Sequence, residues 1–497
     1  MDALRNLGRW FDERLHLTQL YATSAGHPIP RRSASWWYVF GSASLICFVL
    51  QVVTGICLAL VYVPSPNEAY ASLEYLNYQQ TLGWFLRAVH NWGSNFMVGL
   101  VTLHMLQVFL FGAYKYPREL TWVVGCVLFL LTLGAAFTGQ IMRFDQDAYW
   151  GLQIGIAIAS RIPAVGPDLV YLLQGGPILG SETLSRFFAL HVFVLPGLTI
   201  ALLVVHLRLV LTRGINEYPV AGQEVDPETY QEEYDQLIQE TGIRFVPDGV
   251  DKDLIFGAFV ILAILGCSAF FGPAIPNGPA DPTLLNTVPR PDFYFLSLFA
   301  AFALMPPYLE DFVIVYVMPV AVLLLFAVPF ISNSGEKHPS RRPGAVIAAV
   351  MIMTTLSVLA WEGVDSPWSP HMDAWSGEPV PAHLLEDRTP LELQGALLLQ
   401  MKQCRNCHAL DGLGGHRGPD LTDVAMRLTA DQLVRQVLQG GGNMPAYGKN
   451  LRPDEVAALV AFMRTLHPDN ALPARNSAIP AQPGREQPRA AGQARDQ

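Results

Sequence analysis

Seven stretches of this chain are apolar over a length that can cross a lipid bilayer, and backbone placed in hydrocarbon must satisfy its own hydrogen bonds. Each stretch is therefore committed to a helix. They cover residues 36–63, 84–111, 120–139, 184–211, 254–271, 312–330 and 345–361. With 51% apolar and only 15% charged residues, the chain is expected to be an all-α polytopic membrane bundle of seven spans. Pro196 and Pro319 should kink their helices. The first 35 residues lack a cleavable signal pattern. There Trp10, Phe11 and Leu15, set among Arg5, Arg9, Asp12, Glu13 and Arg14, predict a short amphipathic helix lying on the membrane surface.

Basic residues orient the spans. If the N-terminus is cytoplasmic, that side collects Arg31, Arg32, Lys115, Arg118, Arg213, Lys252, Lys337, Arg341 and Arg342 besides the first arginines. The opposite loops hold Arg143, Arg161 and Arg290, with Arg87 and Arg186 at helix mouths, so the positive-inside rule is met. The C-terminal segment then lies outside. Residues 216–253, rich in acid, are expected to be a solvated cytoplasmic linker with a short helix around 230–240, and they supply much of the net charge of −10.

Inside the spans sit four histidines in two pairs, His90/His104 and His191/His206, in surroundings that carry almost no other ionisable group. One such histidine would be better explained as a core residue satisfied by a serine or carbonyl. Four at separations of 14 and 15 residues are another matter. At 1.5 Å and 100° per residue, each pair is spaced ~21–22 Å along one helix and within roughly 40–60° of one face. This is the pattern of two stacked b-type haems, each held by one imidazole from each of two helices: His90 with His191 and His104 with His206, if the helices run parallel.

After the last span the chain turns polar and Pro-rich (366–389), then carries Cys404-Arg405-Asn406-Cys407-His408 within a compact segment, 390–468. Two thiols three positions apart can form thioethers to the haem vinyls while the adjacent histidine reaches the iron, which is the c-type attachment pattern. A zinc half-site or a redox dithiol are the other uses of such a pair, but there is no second cysteine pair and His408 is adjacent. The second iron ligand is expected to be Met444, in the loop Gly440-Gly441-Gly442-Asn443-Met444-Pro445, whereas Met426 and Met463 are expected in the core. Cys47, Cys57, Cys126 and Cys267 fall in spans, as small apolar residues. Residues 469–497 have the composition of a disordered tail.

The chain resembles the cytochrome b of quinol-oxidising cytochrome bc and bf complexes over about residues 8–365, in the bf-type arrangement with its four-helix and three-helix parts (36–215 and 254–365) joined. The resemblance rests on the four histidines, on Trp10-Phe11-Asp12-Glu13-Arg14-Leu15, on Pro117-Arg118-Glu119-Leu120-Thr121-Trp122, on Thr183-Leu184-Ser185-Arg186-Phe187 and on Arg341-Arg342-Pro343. Gly41/Gly55 and Gly125/Gly139 repeat the histidine interval, as bare backbone beside a haem plane would require; close helix packing alone would also explain them. The family's quinol-oxidation motif Pro-Glu-Trp-Tyr stands here as Pro291-Asp292-Phe293-Tyr294, the carboxylate one methylene shorter. A carboxylate beside a membrane-embedded quinol can take a phenolic proton, and Asp292, with Tyr294 near the quinol, is the candidate; a proline-stiffened loop entering a helix is the plainer alternative. Arg143 replaces a proline of the family's outer loop. Val39 stands where a bf-type cysteine can hold an extra haem, so no such haem is expected.

The resemblance implies a quinol:cytochrome c oxidoreductase of the bacterial inner membrane, working with a separate Rieske iron–sulfur protein and a c-type cytochrome or terminal oxidase as acceptor, and assembled as a homodimer. No nucleic-acid partner is expected. Quinol would give one electron to the iron–sulfur partner and then the Cys404/Cys407 haem, and the other through the His90/His191 and His104/His206 haems to quinone on the cytoplasmic side. Moving that charge fully across stores ~2.3 kcal/mol per 100 mV. Arg87 is a candidate partner for a haem propionate, or else an interfacial anchor, and Arg208 a weaker candidate for quinone or propionate. Two rivals remain: a di-haem membrane anchor that relays electrons linearly, and a c domain that merely tethers a soluble carrier.

Overall fold

The computed structural model describes residues 2–176, 179–281, 290–305, 307–364, 378–415, 418–440, 444, 447–448 and 451–468. Seven helices are long and apolar enough to span a membrane among these: α1 (Phe40–Ala59), α2 (Gly83–Leu110), α3 (Glu119–Ile141), α4 (Ser181–Arg213), α5 (Asp251–Phe271), α6 (Leu309–Ile331) and α7 (Pro343–Val364). They lie where the apolar runs placed them. Their ends follow local chemistry: Asp251 and Asp253 occupy the first turn of α5, Pro343 opens α7, and Gly272 closes α5 at a φ of +70°.

Helix α1 packs along α2 and α3 along α4, while α5 lies against α1 and α2, and α6 against α3. The helix Leu296–Leu304 packs on α7, where Gly363 brings backbone against the Leu296 carbonyl. The two prolines expected to kink their helices are each preceded by a π-helical turn, Leu190–Val194 before Pro196 and Val313–Val317 before Pro319. Proline cannot donate to the carbonyl four residues back, and that carbonyl lies inside the π turn in both helices.

At one end of the bundle, where α1 and α3 finish and α2 and α4 begin, Tyr62, Leu76, Ile141, Leu152, Leu184 and Phe187 form a buried cluster. The helices Ala69–Tyr78 and Gln146–Ser160 cross this end. The other end carries the N-terminal helix Asp2–Leu15, with Trp10, Phe11 and Leu15 exposed.

That end also corrects one expectation. Residues 216–253 carry the expected short helix and keep most of their acidic side chains exposed, but they are pinned to other segments by strand pairing. Gly242–Arg244 pairs with Pro28–Pro30, and Glu224–Val225 with Gly335–Glu336, both antiparallel. Between them the helix Tyr230–Thr241 buries Tyr230 and Tyr234. Arg118 donates to Tyr230 Oη (2.6 Å), Tyr230 donates to Glu217 Oε2 (2.6 Å), and Lys337 pairs with Glu217 Oε1 (2.5 Å). Glu217 read as solvated because its cationic partners, Lys337 and Arg118, stand about a hundred residues away in sequence, whereas Glu224, Asp226, Glu228, Glu232, Glu233 and Asp235 are indeed exposed.

The C-terminal unit is a small all-α domain. Pro390–Met401 and Ala430–Gln439 open with capping boxes, Thr389 with Glu392 and Thr429 with Gln432. Pro390–Met401 crosses Pro453–Met463 so closely that a side chain on Gly395 would overlap the Ala458 carbonyl.

Candidate functional site

The parallel run of α2 and α4 brings the histidines together by level. The His90 and His191 rings face each other with centroids 6.3 Å apart and planes inclined at 80°. Two trans imidazoles on one metal, with metal–nitrogen bonds of about 2.0–2.1 Å, have centroids roughly 6.2–6.5 Å apart, so the pair suits a shared iron. At the second level His104 and His206 stand close enough to act on one another electrostatically. Each histidine is backed by one of the four glycines. A methyl group on Gly139 would lie 2.7 Å from His191 Cε1, on Gly55 3.2 Å from His90 Cε1, on Gly41 3.2 Å from His104 Cε1, and on Gly125 3.5 Å from His206 Cε1.

Two further residues, Thr54 and Thr138, belong to the first level and were missed in the sequence. Thr54 Oγ1 lies 2.8 Å from His90 Nδ1 and donates its own hydrogen to Leu50 O at 2.7 Å. Thr138 Oγ1 lies 3.1 Å from His191 Nδ1 and donates to Gly134 O at 2.9 Å. A hydroxyl has a single hydrogen, so each threonine must accept from the imidazole; this fixes the proton on Nδ1 and leaves Nε2 free for a metal. Nδ1 of His104 makes no hydrogen bond among the described residues, and His206 meets the Thr121 backbone instead of a threonine hydroxyl. The signal was present as a Thr-Gly pair at Thr54-Gly55 and Thr138-Gly139, against Phe40-Gly41 and Val124-Gly125 at the second level.

Immediately beyond Gly139, Gln140 connects this level to the loop before α6, its Oε1 facing Asp292 N at 3.4 Å. Tyr294 Oη donates to Asp292 Oδ2 at 2.8 Å. Burial, with the Asp292 charge beside it, holds the Tyr294 phenol well above its ordinary range, so it remains a donor. Arg143 Nη1 stands 3.7 Å from Asp292 Oδ1, and its Nε 3.4 Å from Asp145 Oδ2. Phe293 is exposed.

Arg87 is buried and gives two donors to the protein, Nη1 to Asn77 Oδ1 (3.0 Å) and Nη2 to Ala274 O (2.7 Å), which ties α2 to the segment after α5. Arg208 is exposed on α4.

In the C-terminal unit, Cys404 and Cys407 flank a 3₁₀ turn that delivers His408. His408 Nδ1 lies 2.8 Å from the Pro419 carbonyl, an interaction that requires Nδ1–H and so leaves Nε2 as the metal-facing atom. Met444 lies between Ala430–Gln439 and Pro453–Met463 in sequence, in a stretch that groups with the membrane unit and not with Cys404, Cys407 and His408. Met463 is buried as expected, but Met426 is 41% exposed, because its helix Val424–Arg427 is a single turn at the surface.

Residues 26–214 match the family described as cytochrome b/b6/petB, and residues 279–375 that of cytochrome b (C-terminal)/b6/petD. Cytochrome b of Allochromatium vinosum is 32% identical over 366 residues, covering 71% of this chain and 87% of that protein. The chain belongs to the cytochrome b family. The cytochrome bc complex cytochrome b subunit of Chlorobaculum thiosulfatiphilum is likewise 32% identical, over 71% of this chain and 80% of its own length. The menaquinol:cytochrome c reductase cytochrome b subunit of Geobacillus thermodenitrificans is 36% identical, over 43% of this chain and 98% of its own length. A solved chain of a hyperthermophilic respiratory complex III superposes with a TM-score of 0.60 at 26% identity, covering 72% of this cytochrome b and 91% of that chain. Beyond the last span, residues 392–463 match the family of cytochrome c oxidase, cbb3-type, subunit III. Both families bind haem, so this chain is a multi-pass membrane haem protein with a cytochrome c domain appended.

Proposed function

We propose that this cytochrome b is the quinol-oxidising subunit of a bc-type complex of the bacterial inner membrane. It carries two b-type haems on His90/His191 and His104/His206 and one covalent c-type haem on Cys404, Cys407, His408 and Met444. When bound, these groups supply one-electron transfer. The observation that carries the reading is continuity at one end of the bundle: His191 is backed by Gly139, the next residue, Gln140, meets the Asp292 backbone, and Asp292 holds the Tyr294 hydroxyl. A proton acceptor is thus built within a few residues of a histidine pair suited to an iron. The names of the Chlorobaculum and Geobacillus relatives favour the same assignment.

In this reading a quinol hydroxyl gives its proton to Asp292, which passes it toward the water that reaches its partly exposed carboxylate. Tyr294 orients that carboxylate. Thr54 and Thr138 hold the first pair of imidazoles, and haems held at the two levels of α2 and α4 would supply a path for one electron across the membrane. The other would leave for a separate Rieske iron–sulfur partner, as the likeness to bc-type complexes implies. The test is haem content by pyridine haemochrome, together with quinol-driven b reduction on addition of an oxidant. Two b haems and one c, with b reduced when oxidant is added, is the expected result. The same haem count without that response would make the protein a linear relay.

A further inference from the structure

The loop after α3 reads Met142-Arg143-Phe144-Asp145. It holds a buried aromatic in the left-handed region, Phe144 at φ +44° and 5% exposed, and a non-glycine residue persists there only when its surroundings over-determine it. The surroundings are visible. Asp145 is completely buried, caps Gln146–Ser160 by accepting from Ala148 N (2.9 Å), and also accepts from Asn277 N (3.2 Å). Ala280 N donates to Phe144 O at 3.3 Å. The turn therefore presents Arg143 from a fixed backbone, with Asp145 on one side of its guanidinium and Asp292 on the other.

We infer that Arg143 is a positioning residue for quinol oxidation, bridging the fixed Asp145 to Asp292 and holding the Asp292 carboxylate against Tyr294. This rests on the reading of Asp292 as proton acceptor. A guanidinium is the one side chain whose planar cation can face two carboxylates at once, and Arg143 has one on each side. Tyr294 occupies Asp292 Oδ2 and Arg143 faces Oδ1, so each oxygen of the carboxylate has its own neighbour. Arg143 is only 14% exposed, and its Nε faces Asp145 at 3.4 Å, so the guanidinium is held between the two carboxylates by charge rather than by a completed hydrogen bond. The step it serves is unchanged. Quinol would lose two electrons, one to the iron–sulfur partner and one toward the histidine levels, with one proton going to an Asp292 oxygen and the other leaving with the electron that the iron–sulfur partner takes.

The experiment uses the purified complex with Arg143→Gln, Arg143→Lys, Asp292→Asn and the double variant R143Q/D292N, read by haem content and by kcat and KM for quinol. R143Q is expected to keep its haems and its KM within about twofold while losing about tenfold or more in kcat. R143K should recover part of that loss, and the double variant should be no slower than D292N alone. A residue that merely holds the loop would instead lower haem content or yield, or raise KM. If D292N is impaired while R143Q runs at the wild-type rate, the positioning role is overturned and Asp292 stands. If D292N itself runs at the wild-type rate, the acceptor reading fails and the role of Arg143 fails with it.

Discussion

Replacing Gly139 with alanine should strip or displace the haem at the His90/His191 level, and replacing Gly125 should leave the other haem in place. A methyl carbon on Gly139 would stand 2.7 Å from His191 Cε1, whereas ordinary carbon–carbon contact is about 3.5–4.0 Å. The overlap cannot be relieved by rotating the ring without breaking the 3.1 Å contact with Thr138 and changing the 6.3 Å separation from His90. Overpacking of this kind costs about 1–3 kcal/mol. If it falls on the ligated state, haem affinity drops by about 5- to 150-fold. On Gly125 the same carbon stands 3.5 Å from His206 Cε1, which is ordinary contact. Both variants gain the same helix propensity, so the difference between them isolates the steric effect. The assay is b-haem stoichiometry with a redox titration of each b haem. Equal retention with unshifted potentials in both variants, or loss in G125A alone, would refute the argument.

Thr54→Val and Thr138→Val each remove a hydrogen-bond acceptor from a ligand imidazole, making it a weaker donor to iron. The midpoint potential of the first-level haem should rise by on the order of tens of millivolts while that of the second stays put, as read by redox titration. Met444→Ala should abolish the low-spin His/Met signature of the c haem, and Met463→Leu should leave it intact; the visible spectrum distinguishes them. Burial alone would raise Glu217, but Lys337 and Arg118 outweigh it and hold the carboxyl below its ordinary 4.5. Its stabilising contribution is therefore full above that value and fades as pH falls through the depressed one. Glu217→Gln should lower the melting temperature in detergent at pH ~7, and the gap from wild type should close in acid.

The seven spans, the four histidines and the Cys-x-x-Cys-His turn were legible in the sequence because each is a local signal. Apolar length fixes a helix, a helical period fixes the level of each histidine, and the Cys-x-x-Cys-His run is contiguous. Parallel α2 and α4 followed from the odd number of crossings between them. The threonine partners were legible in principle, since Thr-Gly recurs at one level and not the other.

Tertiary structure decided what depends on charges and backbones meeting across the chain. Lys337 lies 120 residues from Glu217, so Glu217 looked solvated until folding paired it. Gln140 and Asp292 are 152 residues apart, and only the packing of the loop before α6 over the end of α3 joins the histidine level to a carboxylate. Arg143 looked like a departure in one loop and Asp292 like a departure in another. A burial site has no sequence period, and a cation and an anion in separate loops acquire a shared function only when the fold brings them within a few ångströms of each other.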